Sequence, residues 1–332
     1  MRDLQTLPKA HLHLHLELGM RPGTLADLAA KAGEPVPTVR GYGSFTAFSE
    51  MCRGAIGFLR DRADWERLAD EICADAAADG ATYIEPSLWA TGHREVWGSD
   101  EAVWDLAFEL FEDAGARHGV CVRFMAPVDR AWDDEDASVA LAELAVSRRS
   151  VNGAMGIVGL GLHNDEVGHP PGDFVTAFAI AREGGLLSTP HAGELEHGQF
   201  VADSIDLLGA NRIQHGVRSF EVPGLVERLA AEGVCLDVCP TSNVMLSVFP
   251  SLVEHPLPRL LDAGVRCSLN ADDPLLFGPG ILDEYELARR DLGLSDELLA
   301  SMARSSFECS GAPDDVKAAG VAGVDAWLTA PG

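Results

Sequence analysis

The segment Ala10-His11-Leu12-His13-Leu14-His15-Leu16 places histidine and leucine in strict alternation. Because residues two apart in a β-strand point to the same face, the segment predicts a strand with three imidazoles on one side and three leucines on the other. A single histidine on a strand is more often a hydrogen-bonded core residue than a metal ligand. Three in alternation favour a metal site, because buried imidazoles need partners and imidazole is a common zinc ligand.

Similar short apolar segments recur along the chain and alternate with longer stretches that have helical spacing. Strands are predicted at eight places: 10–16, 82–88, 120–128, 156–163, 186–191, 212–216, 234–239 and 266–270. Helices are predicted between them at 65–79, 101–118, 136–147, 173–183, 200–208, 223–232 and 257–263. This alternation predicts a parallel sheet, and eight repeats fit an α/β fold of the (β/α)8 TIM-barrel type. A doubly wound sheet is the alternative, but its first strand normally leads into a glycine-rich phosphate turn, whereas this one ends in histidines.

Two regions lie outside the repeats. Residues 35–59 predict one or two extra helices over the barrel mouth. Residues after Asp273 predict a helical tail at 283–292, 295–307 and 313–319, with no further strand. We therefore expect residues 1–332 to form a single (β/α)8 domain.

The composition limits the partners and the compartment. Asp and Glu number 52 against 25 Lys and Arg, and the formal net charge is −27. Such a surface repels nucleic acid and anionic membranes and disfavours a highly phosphorylated substrate. The seven scattered cysteines are typical of reduced thiols, and neither a signal region nor an apolar stretch of ~20 residues is visible, so we expect a cytoplasmic protein.

Polar side chains follow several of the predicted strands, and the active site of a (β/α)8 barrel lies at these carboxyl ends. They are His13 and His15 at the first strand, His163 to Glu166 at the fourth, His191 and Glu194 at the fifth, His215 at the sixth, and Asp272 and Asp273 at the eighth. Two histidines from one strand, one from another and an aspartate from a third would make a zinc site with a position for water, whose pKa zinc lowers to about 7. Glu194 is then placed to carry a proton, and His215 to orient the nucleophile.

A second metal candidate is weaker. Cys235 and Cys239 are four positions apart and flank a strand-like run. Zinc knuckles usually contain two closely spaced pairs, and the sequence offers no second pair. We therefore do not expect these cysteines to bind a metal.

The strand-end motifs resemble the signatures of the adenosine deaminase family. Residues 7–17 resemble its opening signature, and His191-Ala192-Gly193-Glu194, His215-Gly216 and Asp272-Asp273-Pro274 are similar to its other signatures, in the same order. The resemblance implies one zinc ion per chain, held by His13, His15, His191 and Asp272. It implies that Glu194 donates a proton to N1 of a purine, and that His215 positions a zinc-activated hydroxide that attacks C6. It also implies contacts of Asp273 with N7, of the Asn164 backbone with N3, and of Glu17 with the ribose side.

Some positions depart from the family pattern. Leu18 and Asn164 stand where glycine is usual, and the sequence at 83–89 lacks the usual arginine. Asparagine tolerates left-handed backbone geometry, so the N3 contact can survive, although its side chain could also reach the ligand. These changes lie on the sugar side. We therefore expect the 6-aminopurine to be required and the 5′ group to differ from that of adenosine or to be loosely recognised.

The resulting hypothesis is a zinc-dependent hydrolase of a C–N bond that converts a 6-aminopurine nucleoside, adenosine or a derivative, to the 6-oxopurine and ammonia. Free adenine and 5′-modified adenosines such as aminodeoxyfutalosine are alternative substrates. A metallohydrolase of amides or esters is a further alternative, although the lysine that bimetallic members often carry after the fourth strand is absent. An inactive deaminase-like binding protein is disfavoured by the complete residue set. The H-x-E and P-C-x-x-C signature of nucleic-acid deaminases is absent, and the oligomeric state stays open.

Overall fold

Parallel strands form a nearly closed barrel in the computed structural model, which describes residues 1–38, 42 and 44–330. The strands are β1 (Lys9–His15), β2 (Ala81–Ser87), β3 (Cys121–Val122), β4 (Phe124–Asp129), β5 (Ile157–His163), β6 (Leu187–Ala192), β7 (Arg212–His215), β8 (Cys235–Val238) and β9 (Arg266–Leu269). Their order is β1-β2-β4-β5-β6-β7-β8-β9, with β3 paired beside β2. The (β/α)8 prediction is confirmed. The third predicted strand is divided at Arg123, so that β3 pairs with the middle of β2 and β4 with its end.

Helices surround the barrel and cover its carboxyl-terminal mouth. They are α1 (Pro22–Ala32), α2 (Phe45–Ile56), α3 (Arg62–Ala78), α4 (Arg94–Trp97), α5 (Asp100–His118), α6 (Glu135–Ser147), α7 (Val175–Glu183), α8 (Gln199–Leu208), α9 (Leu225–Glu232), α10 (Pro240–Met245), α11 (Leu257–Asp262), α12 (Pro274–Phe277), α13 (Ile281–Arg290), α14 (Asp296–Glu308) and α15 (Asp314–Thr329). Several begin at side-chain caps, for example the Asp61 capping box of α3 and Ser99 before α5. None of the helices in the described ranges combines the length and apolar character needed to cross a bilayer.

The segment 35–59 contributes α2, which packs on the turn Leu16–Gly19 beside the mouth. Residues 39–41 and 43 of this segment lie outside the described residues. The tail is helical as predicted, but α15 continues ten residues beyond the predicted end at 319. Gly320 explains this continuation, because a Cβ there would lie 2.4 Å from the ring of Phe307 in α14. The glycine permits close helix packing instead of ending the helix.

The leucines of β1, Leu12 and Leu14, are buried as the alternation predicts, and so is Leu16 directly after the strand. The register of β1 against β2 shifts between His11 and Leu14, which is a β-bulge. The regular two-residue alternation of the three imidazoles is therefore interrupted. The prediction that all three share one face is too simple, because only His13 and His15 meet at the mouth.

Closure of the barrel between β9 and β1 depends on the residues that follow β9. A bridge joins Leu14 to Asp272, where the amide of His15 donates to the Asp272 carbonyl and the amide of Asp272 donates to the His13 carbonyl. The side chain of Asn270 replaces further ladder bonds, since its Oδ1 accepts from the amides of Leu12 and His13. The backbones of three predicted metal ligands are thus held together at this seam.

Candidate active site

The four predicted ligands converge at the barrel mouth. His13 Nε2 lies 3.0 Å from His191 Nε2 and 3.1 Å from Asp272 Oδ1, and His15 Nε2 lies 3.2 Å from the same carboxylate oxygen. His13, His191 and Asp272 are buried, and His15 is partly buried. Ligand atoms from β1, β6 and the end of β9 therefore meet in one small volume.

These donors fit a zinc ion. Four donors at Zn–N and Zn–O distances of about 2.0–2.2 Å in a tetrahedron would lie about 3.3 Å apart, close to the observed separations. His13 Nδ1 donates to the carbonyl of Asp237 over 3.1 Å, which leaves the lone pair of Nε2 to face the other ligands. Two imidazole nitrogens 3.0 Å apart need a shared proton or a cation between them.

Glu194 and His215 lie beside this group. His215 Nε2 is 3.3 Å from Glu194 Oε2 and 3.9 Å from Asp272 Oδ2. Asn243 Nδ2 donates to Glu194 Oε1 over 3.1 Å and lies 3.2 Å from His215 Nδ1. If Nδ1 accepts that bond, Nε2 carries the imidazole proton and faces the carboxyl of Glu194. The pair therefore has a defined orientation toward the metal ligands.

The environment of Glu194 favours its protonated form. Burial raises the pKa of Glu194 well above its usual value, and the charges of Asp272, Glu166 and Asp273 raise it further. A carboxyl whose protonated form is favoured in this way can donate its proton to a substrate.

Asp273 also lines the cavity, and one of its carboxyl oxygens is free to bond a ligand. Its side chain is buried, and its Oδ1 has no hydrogen-bond partner among the described residues. Burial and the neighbouring charge of Asp272 raise the pKa of Asp273 well above its usual value. A protonated carboxyl at this place can donate to an acceptor nitrogen of a base.

The predicted sugar-side residues line the same cavity, whose volume is about 130 Å³. Glu17 Oε1 accepts from the amide of Trp89 over 3.2 Å and from His93 Nε2 over 3.1 Å. Asn164 has φ 77°, the left-handed geometry that the sequence allowed. Its side chain donates to both oxygens of Asp129, which lines the same cavity.

Some residues of the site were not predicted from the sequence. Ser242 and Asn243 come from α10, and Ser242 Oγ donates to Asp272 Oδ2 over 2.6 Å. The sequence could have indicated them, because they directly follow the predicted strand 234–239 and polar residues at strand ends lie at the mouth of the barrel. Cys239 Sγ lies 3.4 Å from His13 Nδ1, but no metal-binding group in the described ranges includes Cys235. The structure therefore does not bring the two cysteines into one site.

His11 is separate from the metal ligands. Its Nε2 accepts the amide of Ala271 over 3.1 Å, and it belongs to no metal-binding group of the described residues. Burial lowers the pKa of His11 to about 3, so the imidazole is neutral at physiological pH. It supports the seam next to Asp272.

Comparison with known proteins places the chain in a family. A sequence model of the adenosine deaminase family matches residues 8–327. A putative adenosine/adenine deaminase of Streptomyces virginiae is 42% identical over 340 residues, covering 99% of this chain and 98% of the relative. The crystal structure of an adenine deaminase from Arthrobacter aurescens superposes with a TM-score of 0.88 at 29% identity, covering 97% of this chain and 99% of that one. An amidohydrolase from Burkholderia ambifaria, solved with bound zinc, has a TM-score of 0.82 at 25% identity, covering 98% and 92%. Because the family match spans nearly the whole barrel and its mouth, the chain belongs to the adenosine deaminase family.

Proposed function

We propose that this chain is a zinc-dependent deaminase that hydrolyses the 6-amino group of an unphosphorylated 6-aminopurine, and that residues 1–332 act as one catalytic domain. The observation that carries the proposal is the convergence of His13, His15, His191 and Asp272 at separations that fit one cation. The zinc found in the B. ambifaria amidohydrolase supports the same choice of metal. One zinc ion per chain would lower the pKa of a water molecule and so supply a nucleophile at neutral pH.

The protein side chains would supply the proton transfers and the orientation. Glu194, whose buried surroundings favour the protonated form, donates to N1 of the purine, which makes C6 more electrophilic. His215 orients the attacking water through Nε2, which faces both Glu194 and Asp272. Asp273 donates to N7 through the carboxyl oxygen that has no partner among the described residues. These preorganised groups favour loss of ammonia from C6.

We propose free adenine as the preferred substrate. Part of the polar lining on the sugar side already has protein partners: one oxygen of Glu17 accepts from Trp89 and His93, and the Asn164 side chain is bonded to Asp129. The hydroxyl of Ser87 has no partner among the described residues. A ribose would therefore compete with these protein partners for Glu17 and Asn164. The relatives named adenine deaminase or adenosine/adenine deaminase support this choice.

Phosphorylated substrates are disfavoured by the charge of the cavity. Arg53 is the only lysine or arginine among its described lining residues. Six carboxylate residues line the same cavity: Glu17, Asp129, Glu166, Glu194, Asp272 and Asp273. A phosphate group would meet net negative charge there.

A nucleoside with an apolar 5′ substituent is the second candidate. Leu18 and the α2 residues Phe45, Phe48 and Ile56 form an apolar part of the cavity lining. An apolar group at C5′ would gain by burial against these side chains. This candidate retains the expectation that the 5′ group differs from that of adenosine.

The test compares kcat/KM for adenine, adenosine, 5′-deoxyadenosine, a 5′-thioadenosine and AMP, measured as release of ammonia by zinc-loaded protein. We expect adenine to exceed adenosine by at least tenfold, and AMP to be the poorest. A 5′-modified nucleoside above adenine would select the second candidate. If AMP were the best substrate, the proposal that this cavity binds an unphosphorylated 6-aminopurine would be contradicted. Zinc-loaded protein that deaminates none of them, or that only hydrolyses amides or esters, would contradict the proposed reaction.

A further inference from the structure

Glu166 makes an unusual set of contacts with the segment that carries Glu194. Its Oε1 accepts from the amide of Glu194 over 3.1 Å, and its Oε2 accepts from the amides of Gly193 over 3.2 Å and Glu196 over 2.9 Å. The side chain is only 1% exposed. One buried carboxylate therefore binds three backbone amides within four successive residues. Hydrogen bonds to an ionised acceptor are stronger than neutral ones.

The same segment is fixed from its other side by Arg218. The amide of Arg218 donates to the carbonyl of Gly193, and its Nη1 donates to the carbonyl of Leu195 over 2.7 Å. The segment follows β6, and Gly193 has φ 65°, so it has left the extended conformation of the strand. Its geometry therefore depends on these contacts: Glu166 binds its amides and Arg218 its carbonyls.

A buried arginine binds the end of β6, directly before this segment. Arg130 is 2% exposed, and its Nη2 donates to the carbonyl of His191 over 2.6 Å. Its Nε and Nη1 have no hydrogen-bond partner among the described residues. Burial lowers the pKa of Arg130 to about 10, and the nearby charges of Glu166, Asp165 and Asp129 act in the opposite direction. Arg130 thus binds the carbonyl of His191 near the end of β6, just before the residues whose amides donate to Glu166.

We propose that Glu166 is a positioning residue that sets where the carboxyl of Glu194 lies against N1 of the purine. This inference rests on the proposed function, in which Glu194 donates the proton. Glu166 acts through the backbone and does not itself transfer a proton. Proton transfer requires the donor within hydrogen-bond reach of its acceptor, so a small shift of this segment lowers turnover more than it lowers binding.

The experiment uses Glu166→Gln and Glu166→Asp in the zinc-loaded protein. In Glu166→Gln an NH2 group replaces one oxygen and cannot accept from the amides. Glu166→Asp keeps the charge opposite Arg130 but shortens the side chain by one methylene, which protects folding if the glutamine variant is unstable. The matched control is Asp64→Asn, because Asp64 is also buried and its Oδ2 accepts from the amides of Arg60 and Asp61, in the cap of α3.

We expect both Glu166 variants to lower kcat by about 10²-fold, the scale of a misplacement of about 1 Å, with a smaller change in KM and unchanged zinc content. Hydrogen exchange at the amides of residues 193–196 should become faster, whereas the rest of β6 stays protected. Asp64→Asn should lower the melting temperature and leave kcat and this exchange unchanged.

Wild-type kcat in both Glu166 variants would overturn the inference, and so would unchanged exchange at residues 193–196. Loss of zinc together with loss of activity would assign Glu166 a structural role and would also overturn it. A wild-type protein without deaminase activity, or a fully active Glu194→Gln variant, would instead contradict the proposed function. The exchange measurement still tests the contacts of Glu166 in that case.

Discussion

At the scale of single residues, the site depends on backbone conformations that its side chains disfavour. Asn164, His215 and Asp272 have φ values of 77°, 66° and 62°, although none is glycine. Each such residue costs on the order of 1–3 kcal/mol and persists where the surrounding structure holds it. Asn164 and Asp272 follow barrel strands, His215 is the last residue of β7, and all three lie at the mouth. The left-handed turns thus direct these residues toward the cavity instead of continuing the strands.

Glu194→Gln tests the proposed proton donor. The glutamine keeps the shape and an acceptor for Asn243, but it has no proton to transfer, so we expect kcat to fall by at least ~10²-fold with fold and zinc content retained. Steady-state kinetics and elemental analysis would measure this. Glu196→Gln, two positions away in the same segment, is the control and should keep wild-type turnover. Near-wild-type kcat in Glu194→Gln would remove this residue from the reaction.

His11→Gln tests which histidines of β1 bind the metal. The glutamine oxygen can accept the amide of Ala271 in place of Nε2, so we expect full zinc content and a normal fold. His15→Gln is the comparison and should lose zinc, because its Nε2 lies 3.2 Å from Asp272 Oδ1. Loss of zinc in a folded His11→Gln protein, measured by elemental analysis, would show that the ligand pair was assigned wrongly.

At the scale of elements, α13 packs a buried carboxyl against α10, the helix that carries Ser242 and Asn243. Glu284 is 1% exposed, and its Oε2 accepts from the amide of Thr241 over a long 3.4 Å. Burial raises the pKa of Glu284 from 4.5 to about 8. Between these values the folded protein holds a proton that the unfolded chain releases, so this carboxyl lowers stability as the pH rises from about 4.5 to about 8.

Glu284→Gln should therefore stabilise the protein at alkaline pH. We expect the free energy of unfolding at pH 8.5 to increase by roughly 2–4 kcal/mol, and much less at pH 4.5, because the wild-type carboxyl is already neutral there. Chemical denaturation at the two pH values measures the difference. Glu286→Gln, an exposed position on the same helix, is the control. An equal effect of Glu284→Gln at both pH values would contradict the raised pKa.

At the scale of the whole molecule, the proposed metal ligands join distant parts of the chain. They come from β1, from β6 and from the residues after β9, where the barrel closes through one bridge and the side chain of Asn270. A zinc ion bound to the folded state alone would stabilise this closure. At a zinc concentration of about 1,000 times Kd the gain is about 4 kcal/mol.

Removal of zinc should accordingly lower the melting temperature, and added zinc should restore it. Differential scanning calorimetry with and without a chelator measures the change. His191→Gln, which lacks one ligand, is the control and should respond little to the chelator. A wild-type melting temperature that is unaffected by removal of the metal would contradict a zinc ion at the seam.

The sequence by itself determined the fold class and the main site residues. Hydrophobic periodicity is a local property, so eight alternating repeats were enough to predict the barrel, and the parallel strands then required their polar ends to share one mouth. For this reason His13, His191 and Asp272 could be grouped without knowing any distance. The family signatures gave the same grouping independently.

Only the tertiary structure decided the contacts between segments that are distant in sequence. The bond of Asn270 to Leu12 spans 258 positions, and the bond of Glu166 to Glu194 joins the ends of neighbouring strands. The bulge in β1, the continuation of α15 past Gly320 and the place of Asn243 beside Glu194 likewise depend on close packing. Local pattern cannot fix them, because each is set by the distance between two elements, and that distance exists only when the barrel has closed.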